Sequence, residues 1–171
     1  MNSKTAKASL SISTDLVLPS DTNALHGMFG GELLSRMDRI CCIAAQRHSG
    51  HIAVTVSVNH VAFTNPVPLG STVTIEAKVS RAFSSSMEIY ADVWIEDRLS
   101  GKRTKVNEGI YTFVALDADR NKVAVPELIP ETRLEKERYA AALRRRQLSL
   151  VLSGKLAAKE ASELRSLFEM H

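Results

Sequence analysis

Four stretches between Thr55 and Leu116 alternate apolar and polar residues with a period of two, and this pattern restricts the possible folds most strongly. Such alternation is typical of β-strands, and the short turns between the stretches favour an antiparallel meander. The phase changes near Asn59 and His60, which predicts a β-bulge there. Residues 12–18 predict a further edge strand. The alternation is carried by Val54, Val56, Val58, Val61 and Phe63, then Val73, Ile75, Ala77 and Val79, then Met87, Ile89, Ala91, Val93 and Ile95, and finally Ile110, Thr112, Val114 and Leu116.

One amphipathic helix, from about residue 32 to 47, precedes the meander. At about 100° per residue its large apolar side chains fall in one arc of about 140°. Because the sheet is the available partner for this face, we expect the sheet to wrap around the helix. This is an α+β hotdog fold, an antiparallel sheet curled around one long central helix. The arc consists of Leu33, Leu34, Met37, Ile40, Cys41, Ala44 and Ala45.

The last part of the chain is helical in composition. Thr132 and Glu135 have the spacing of a capping box, and a second amphipathic stretch follows Gly154. We therefore predict a flexible N-terminus over residues 1–11, a hotdog domain over residues 12–130 and a helical C-terminal tail over residues 131–171.

Composition excludes several classes of function. The 171 residues include 22 Lys+Arg and 19 Asp+Glu, and residues 21–126 are neutral, which argues against nucleic-acid binding. No apolar stretch approaches the roughly 18 residues of a membrane span, and no signal-peptide core follows Met1, so we expect a cytoplasmic protein without a membrane span. Cys41 and Cys42 are adjacent and the histidines are scattered, so neither a disulfide nor a metal site is predicted.

Two features before and within the helix suggest chemistry. Asp38 lies at the border of the apolar arc, where a carboxylate is costly unless it is paired with a cation or used as a base. Gly30 and Gly31 precede the helix, whose first backbone N–H groups can hold a phosphate or a developing oxyanion. An Arg-paired Asp38 and a plain flexible loop are the alternatives. The run of arginines at 144–146 is either solvated or in contact with a phosphate.

Seven short motifs then appear in an order that resembles the acyl-CoA thioesterase family of the hotdog superfamily, in the branch of the YciA-type and cytosolic acyl-CoA hydrolases. The resemblance covers roughly residues 12–140. Each motif is weak alone, and the seven together are specific. They are Leu18-Pro19-Ser20-Asp21-Thr22-Asn23, Phe29-Gly30-Gly31, Met37-Asp38, Phe63-x-x-Pro66, Ser86-Met87-Glu88, Thr112-Phe113-Val114-Ala115-Leu116-Asp117 and Pro130-Glu131-Thr132.

The resemblance implies an acyl-CoA hydrolase in which Asp38 is the general base or the nucleophile. Asn23 would position water or the carbonyl, and backbone N–H groups near Gly30 and Gly31 would form the oxyanion hole. It also implies a dimer as the minimal active unit and a hexamer made of three dimers. Coenzyme A is then a product and ligand, and no cofactor is needed.

The residues that would bind the substrate are indicated less directly by the resemblance. Ser85 and Ser86 are candidates for coenzyme A contacts by resemblance, and Arg144 and Arg145 are candidates by charge. His26 departs from the family, which usually has glycine three residues after the asparagine.

Two other functions stay open. A non-catalytic hotdog module that senses acyl-CoA needs neither Asn23 nor Asp38, so the presence of both favours the enzyme. A hotdog dehydratase would pair a histidine with an aspartate, and His26 is the histidine beside the glycine loop.

Overall fold

A computed structural model describes residues 2–168, and its centre is a five-stranded antiparallel sheet in the order β2-β4-β5-β6-β3. A second, two-stranded parallel sheet pairs β1 with β7. The α+β hotdog prediction is confirmed. The strands are β1 (Lys4–Thr5), β2 (Ser11–Leu16), β3 (Ile52–Phe63), β4 (Thr72–Ala82), β5 (Ser86–Glu96), β6 (Arg103–Leu116) and β7 (Leu128–Ile129), and the helices are α1 (Gly30–Ser49), α2 (Arg133–Leu152) and α3 (Ser162–Arg165).

Helix α1 lies in the concave side of the sheet and buries the arc that the periodicity predicts. Met37, Cys41 and Ala44 are fully buried between helix and strands. A Cβ atom at residue 109 would collide with the end of the Met37 side chain, so Gly109 allows β6 to approach α1 closely. The Tyr111 hydroxyl donates to the Leu34 carbonyl at 3.2 Å, which adds a polar contact between the two layers.

Strand β3 contains the predicted bulge, with register shifts at residues 55–57 and 58–60. Thr55 faces α1, whereas Val54 and Val56 are largely exposed on the other side. The strand lies at the end of the sheet, and its outer edge has no partner strand within residues 2–168. An apolar strand edge of this kind is suited to pairing with another chain.

The N-terminal segment is packed rather than flexible, which differs from the prediction for residues 1–11. Ala6 is buried, and the hydroxyl of Ser9 accepts a hydrogen bond from the Val79 backbone at 2.9 Å. Lys4 donates to the carbonyls of Arg47 and His48 at 3.0 and 2.8 Å, at the C-terminal end of α1. A cation is favourable there because the last carbonyls of a helix carry a partial negative charge.

Helix α2 packs on the outer face of the sheet mainly through charged groups. Asp92 and Arg138 form a bidentate pair at 2.8 Å, and Glu88 and Arg145 form another at 2.9 and 2.7 Å. Ala142 is the buried apolar residue of the helix. The C-terminal stretch beyond α2 contains only a 3-10 helix at Ala158–Glu160 and the single turn of α3, and the last three residues of the predicted tail lie outside the described range.

Within residues 2–168, none of the helices is long and apolar enough to cross a membrane. In the same part of the chain, no group of three or more His, Cys, Asp or Glu side chains is arranged to hold a metal ion.

Glu135 provides a test of how α2 is anchored. Burial alone would raise its pKa, but hydrogen bonds from the Glu131 backbone, Lys78 and the Thr132 backbone lower the pKa to about 2. A carboxylate whose pKa is lowered by folding stabilises the folded state above its unfolded pKa, and this contribution is lost as the pH falls towards 2. We expect Glu135→Gln to lower the free energy of unfolding by about 2–3 kcal/mol at pH 7 and by much less near pH 2.

Urea unfolding followed by far-ultraviolet circular dichroism measures this difference. The matched control is Glu137→Gln, because the pair of Glu137 with Arg133 is exposed to solvent. This substitution should lower the free energy of unfolding by less than about 0.5 kcal/mol at either pH. Equal losses in the two variants would contradict the anchoring role of Glu135.

Candidate functional site

The loop before α1 is held in shape by the side chain of Asn23. Its Oδ1 accepts hydrogen bonds from the backbone of Leu25 at 2.9 Å and of Gly27 at 3.3 Å. The backbone of Asn23 also bonds Gly27, so the loop closes on itself. The carbonyl oxygen of the amide therefore builds the loop, and the Nδ2 group is the part of Asn23 that remains for a ligand.

Arg36 fixes this loop region to the helix. Its guanidinium contacts Asp21 and Glu32 at 2.8 Å each and Asp15 at 3.5 Å. Burial alone would lower the pKa of Arg36, but the three carboxylates outweigh the effect of burial and raise this pKa. Asp21, part of the motif that ends in Asn23, thus has a structural role.

The N-terminus of α1 offers backbone donors. The N-cap residue Phe29 forms no capping side-chain hydrogen bond, and no described acceptor bonds the N–H groups of Gly30 and Gly31. A Cβ at residue 30 would lie 3.2 Å from the Phe63 ring, whereas one at residue 31 would meet open space. A side chain at residue 30 would therefore crowd the ring of Phe63, which covers the helix end and would have to shift by a few tenths of an ångström.

A cavity of about 390 Å³ opens at this helix end. It brings together two of the predicted site residues, Asn23 and Gly30. Its wall is mostly apolar and also contains two further asparagines. The lining residues are Asn23, Leu25, Gly27, Met28, Gly30, Leu33, Phe63, Asn65, Pro66, Val67 and Asn107.

Asp38 does not line this cavity within the chain. It lies eight residues after Gly30, which is about 12 Å further along the helix axis. The Thr55 hydroxyl on β3 donates to its Oδ1 at 2.7 Å, and Asp38 is half-buried. The carboxylate is thus oriented by a neutral hydroxyl, and the Arg-paired alternative is wrong because no arginine within the described chain lies within ion-pair distance.

The two cysteines near Asp38 are free thiols. Burial first, and then the negative charge of Asp38, raises the pKa of both Cys41 and Cys42. A thiol with a raised pKa is a poor nucleophile at neutral pH. The carboxylate is therefore the better candidate for chemistry on this part of α1.

A second cavity, of about 430 Å³, lies between α2 and the outer face of the sheet. Ser85 and Ser86 line it, as does Arg146, whose guanidinium donates to the Ser86 hydroxyl at 3.0 Å and lies 4.2 Å from the centre of the Phe83 ring. Lys122 and Lys155 also line the cavity, which makes it basic.

The predicted role of Arg145 differs from what the structure shows. Arg145 is occupied by a bidentate ion pair with Glu88, whose side chain is only 4% exposed. Removing such a partner would leave a buried carboxylate unpaired, so Arg145 has a structural role. Arg144 does not line the cavity, and Arg146, which the charge argument did not select, does.

Three residues, one beside Asp38 and two in the cavity walls, escaped prediction for different reasons. In the sequence, Thr55 is one of the polar residues of an alternating strand. Its partner Asp38 is 17 residues away along the chain, so no local pattern indicates their contact. Arg146 differs from its neighbours only in the rotation of α2. Asn107 lies between Val106 and Glu108 in β6 and carries no local sequence signal.

His26 has a backbone φ of +57°, a left-handed conformation that favours glycine. Its carbonyl accepts a hydrogen bond from the Leu69 backbone at 2.8 Å, which locks this conformation. We expect His26→Gly to relieve strain and to raise the thermal unfolding midpoint by about 2 °C, since the gain exceeds the added entropy of the unfolded chain.

Differential scanning calorimetry measures this change. His26→Val is the informative counterpart, because a β-branched residue is disfavoured at this φ and should lower the midpoint. A lower midpoint for the glycine variant would show that the histidine side chain itself stabilises the loop.

Known proteins match both the sequence and the fold. Residues 26–102 match the family model of the thioesterase superfamily. The chain is 38% identical over 129 residues to YkhA of Bacillus subtilis, named an uncharacterized acyl-CoA thioester hydrolase, and the match covers 75% of each protein. It is 39% identical over 138 residues to mouse acyl-coenzyme A thioesterase 11, of which it spans only 23%.

Solved structures agree. An acyl-CoA hydrolase from Staphylococcus aureus, solved with butyryl-coenzyme A, coenzyme A and coenzyme A disulfide, is 35% identical with a TM-score of 0.83 over 89% of this chain and 94% of that one. A hexameric acyl-CoA thioesterase is also 35% identical, with a TM-score of 0.83 over 86% of this chain and 94% of that one. Variants of the Staphylococcus enzyme replace an aspartate, an asparagine or a threonine by alanine. The chain therefore belongs to the hotdog-fold acyl-CoA thioesterases of the thioesterase superfamily.

Proposed function

We propose that this protein hydrolyses acyl-CoA to a free fatty acid and coenzyme A, with Asp38 as the general base. The observation that carries the proposal is the 2.7 Å hydrogen bond from Thr55, which holds a half-buried carboxylate in one orientation without neutralising it. An oriented carboxylate can accept a proton from water, as general base catalysis requires. The three residues substituted in the Staphylococcus aureus variants are of the same types, at the same intervals along the chain, as Asn23, Asp38 and Thr55.

The reaction then proceeds in two steps. Water attacks the thioester carbonyl carbon while Asp38 takes one of its protons, and the carbonyl oxygen becomes an oxyanion. The C–S bond breaks, and the proton on Asp38 passes to the departing thiolate, which leaves as coenzyme A. Direct attack by Asp38 would instead form an acyl anhydride that water cleaves.

The uncapped N-terminus of α1 supplies the donors for the oxyanion in this proposal. The N–H groups of Gly30 and Gly31 carry the positive end of the dipole of a 20-residue helix. Fixed donors of this kind stabilise charge that develops only in the transition state. The Nδ2 group of Asn23, in the same cavity, would position the carbonyl or the water.

These groups are completed by a second chain. Asp38 and the cavity of Asn23 and Gly30 are separated along α1, so one chain does not place its own base beside its own oxyanion donors. The free edge of β3 lies next to Thr55 and Asp38, and pairing of two such edges would bring Asp38 of one protomer towards the cavity of its partner. We infer a dimer as the active unit and, since related thioesterases are hexameric, a trimer of dimers. A cytoplasmic location stays a prediction.

The first experiment is hydrolysis of acyl-CoA from acetyl to palmitoyl, followed by thiol release. We expect Asp38→Asn to lower kcat by at least about 100-fold, because the base is removed while the shape is kept. Thr55→Val should lower kcat by about tenfold, and Thr55→Ser, which restores the hydroxyl, should recover most of the loss. His26→Gly should keep substantial activity.

The same assay separates the enzyme from the alternatives. A folded wild type that binds acyl-CoA without hydrolysing it would establish the sensor instead. A His26→Gly variant as inactive as Asp38→Asn would show that the imidazole takes part in the chemistry.

The basic cavity beneath α2 would hold the phosphates of coenzyme A. Arg146, Lys122 and Lys155 line it, and the carboxylate of Glu88 is already neutralised by Arg145. Ser85 and Ser86 supply further polar groups, and the Ser86 hydroxyl lies beside the Arg146 guanidinium. Burial lowers the pKa of Arg146, so a phosphate would regain the stabilisation that the charge has lost by leaving water.

Arg146→Met tests this assignment. We expect the KM for acyl-CoA to rise by about tenfold, with little change for an acyl-pantetheine thioester, which lacks the nucleotide phosphates. Arg144→Met is the comparison, because its side chain does not line the cavity. A larger rise of KM for Arg144→Met than for Arg146→Met would assign the phosphate contact to Arg144. Equal rises of KM for acyl-CoA and for the acyl-pantetheine thioester would exclude this cavity as the phosphate site.

A further inference from the structure

Asn107 on β6 carries a polar atom that the described chain leaves without a partner. The residue is only 2% exposed, and its Oδ1 has no hydrogen bond within residues 2–168. A buried acceptor that stays unpaired destabilises the folded protein. Its position in the wall of the cavity at the start of α1 suggests that a ligand completes it.

The orientation of this amide is fixed by its other end. The Nδ2 group of Asn107 donates to the Asn65 carbonyl at 3.2 Å. Because a carbonyl only accepts, the amino group must face Asn65 and the oxygen must point the other way. The free group is therefore an acceptor, which requires a donor from the ligand.

The place of this acceptor relates it to the proposed oxyanion donors. Asn107 is directly opposite Phe63 in the β3–β6 register, and the Phe63 ring also approaches Gly30. The side chain of Phe63 is about half exposed, so a change of rotamer can turn it outward. Such a movement would uncover the helix end and open space beside Asn107, which shares one face of the sheet with Phe63.

We propose that Oδ1 of Asn107 accepts a hydrogen bond from the first amide N–H of the pantetheine arm of the substrate. This inference rests on the proposed hydrolysis of acyl-CoA. The thioester itself has no donor, and the nearest N–H in acyl-CoA is two methylene groups from the sulfur. A site that hydrogen-bonds one N–H discriminates strongly against an analogue that lacks it. Asn107 thus recognises the pantetheine side of the thioester and does not discriminate between acyl chains.

The test uses two hexanoyl thioesters that differ in one group. One is the thioester of N-acetylcysteamine, which has the amide N–H, and the other is that of 2-mercaptoethyl acetate, which has an ester oxygen there. We expect the wild type to prefer the amide by about tenfold in kcat/KM, and Asn107→Val to hydrolyse both at similar rates. The ester substrate reports in each variant whether the protein is folded and active.

A control variant sharpens the result. Asn121→Val removes an exposed asparagine from the turn after β6 and should leave the wild-type ratio unchanged.

The outcomes are distinct. An unchanged ratio in Asn107→Val, or a wild type without preference, overturns the assignment to the pantetheine amide. Equal losses on both substrates would mean that Oδ1 holds the attacking water instead. A wild type that hydrolyses neither of these thioesters nor hexanoyl-CoA would refute the proposed function itself.

Discussion

Burial of one face of α1 against the concave side of the sheet sets the position of every group in the candidate site. The helix rotation that buries Met37 places Asp38 at the border of the contact, within reach of Thr55 on β3. The same helix begins at Gly30, where its free N–H groups meet the cavity. Because the side chains between helix and sheet are closely packed, α1 can move little relative to the sheet. The carboxylate and the backbone donors therefore lie on one rigid element.

Much of the fold follows from the sequence because it depends on local periodicity. The period of two in β4, β5 and β6 and the helical arc of α1 each reflect the burial of one face, which any window of the chain reveals. The capping box at Thr132 is equally local and is confirmed. Asp38 carries the same kind of local signal, as a polar residue at the edge of an apolar arc.

The remaining features depend on contacts that no local pattern encodes. Arg144, Arg145 and Arg146 are identical in type, and only the rotation of α2 decides that one binds Glu88 and another lines a cavity. The N-terminal residues look polar and featureless, yet pairing of β1 with β7 orders them. Thr55 acquires its role from the helix that packs above it.

The charged attachment of α2 has a consequence for how the molecule opens. Regions with few buried apolar contacts unfold locally at lower free energy than the core. Helix α2 buries Ala142 and packs Tyr139 partly against the core, and many of its other contacts are charged pairs such as Arg138 with Asp92. The amide hydrogens of α2 should therefore exchange with solvent before those of α1. Because α2 forms one wall of the basic cavity, a ligand bound there would stabilise the packed helix and slow this exchange. The ligand would in turn leave mainly when α2 opens.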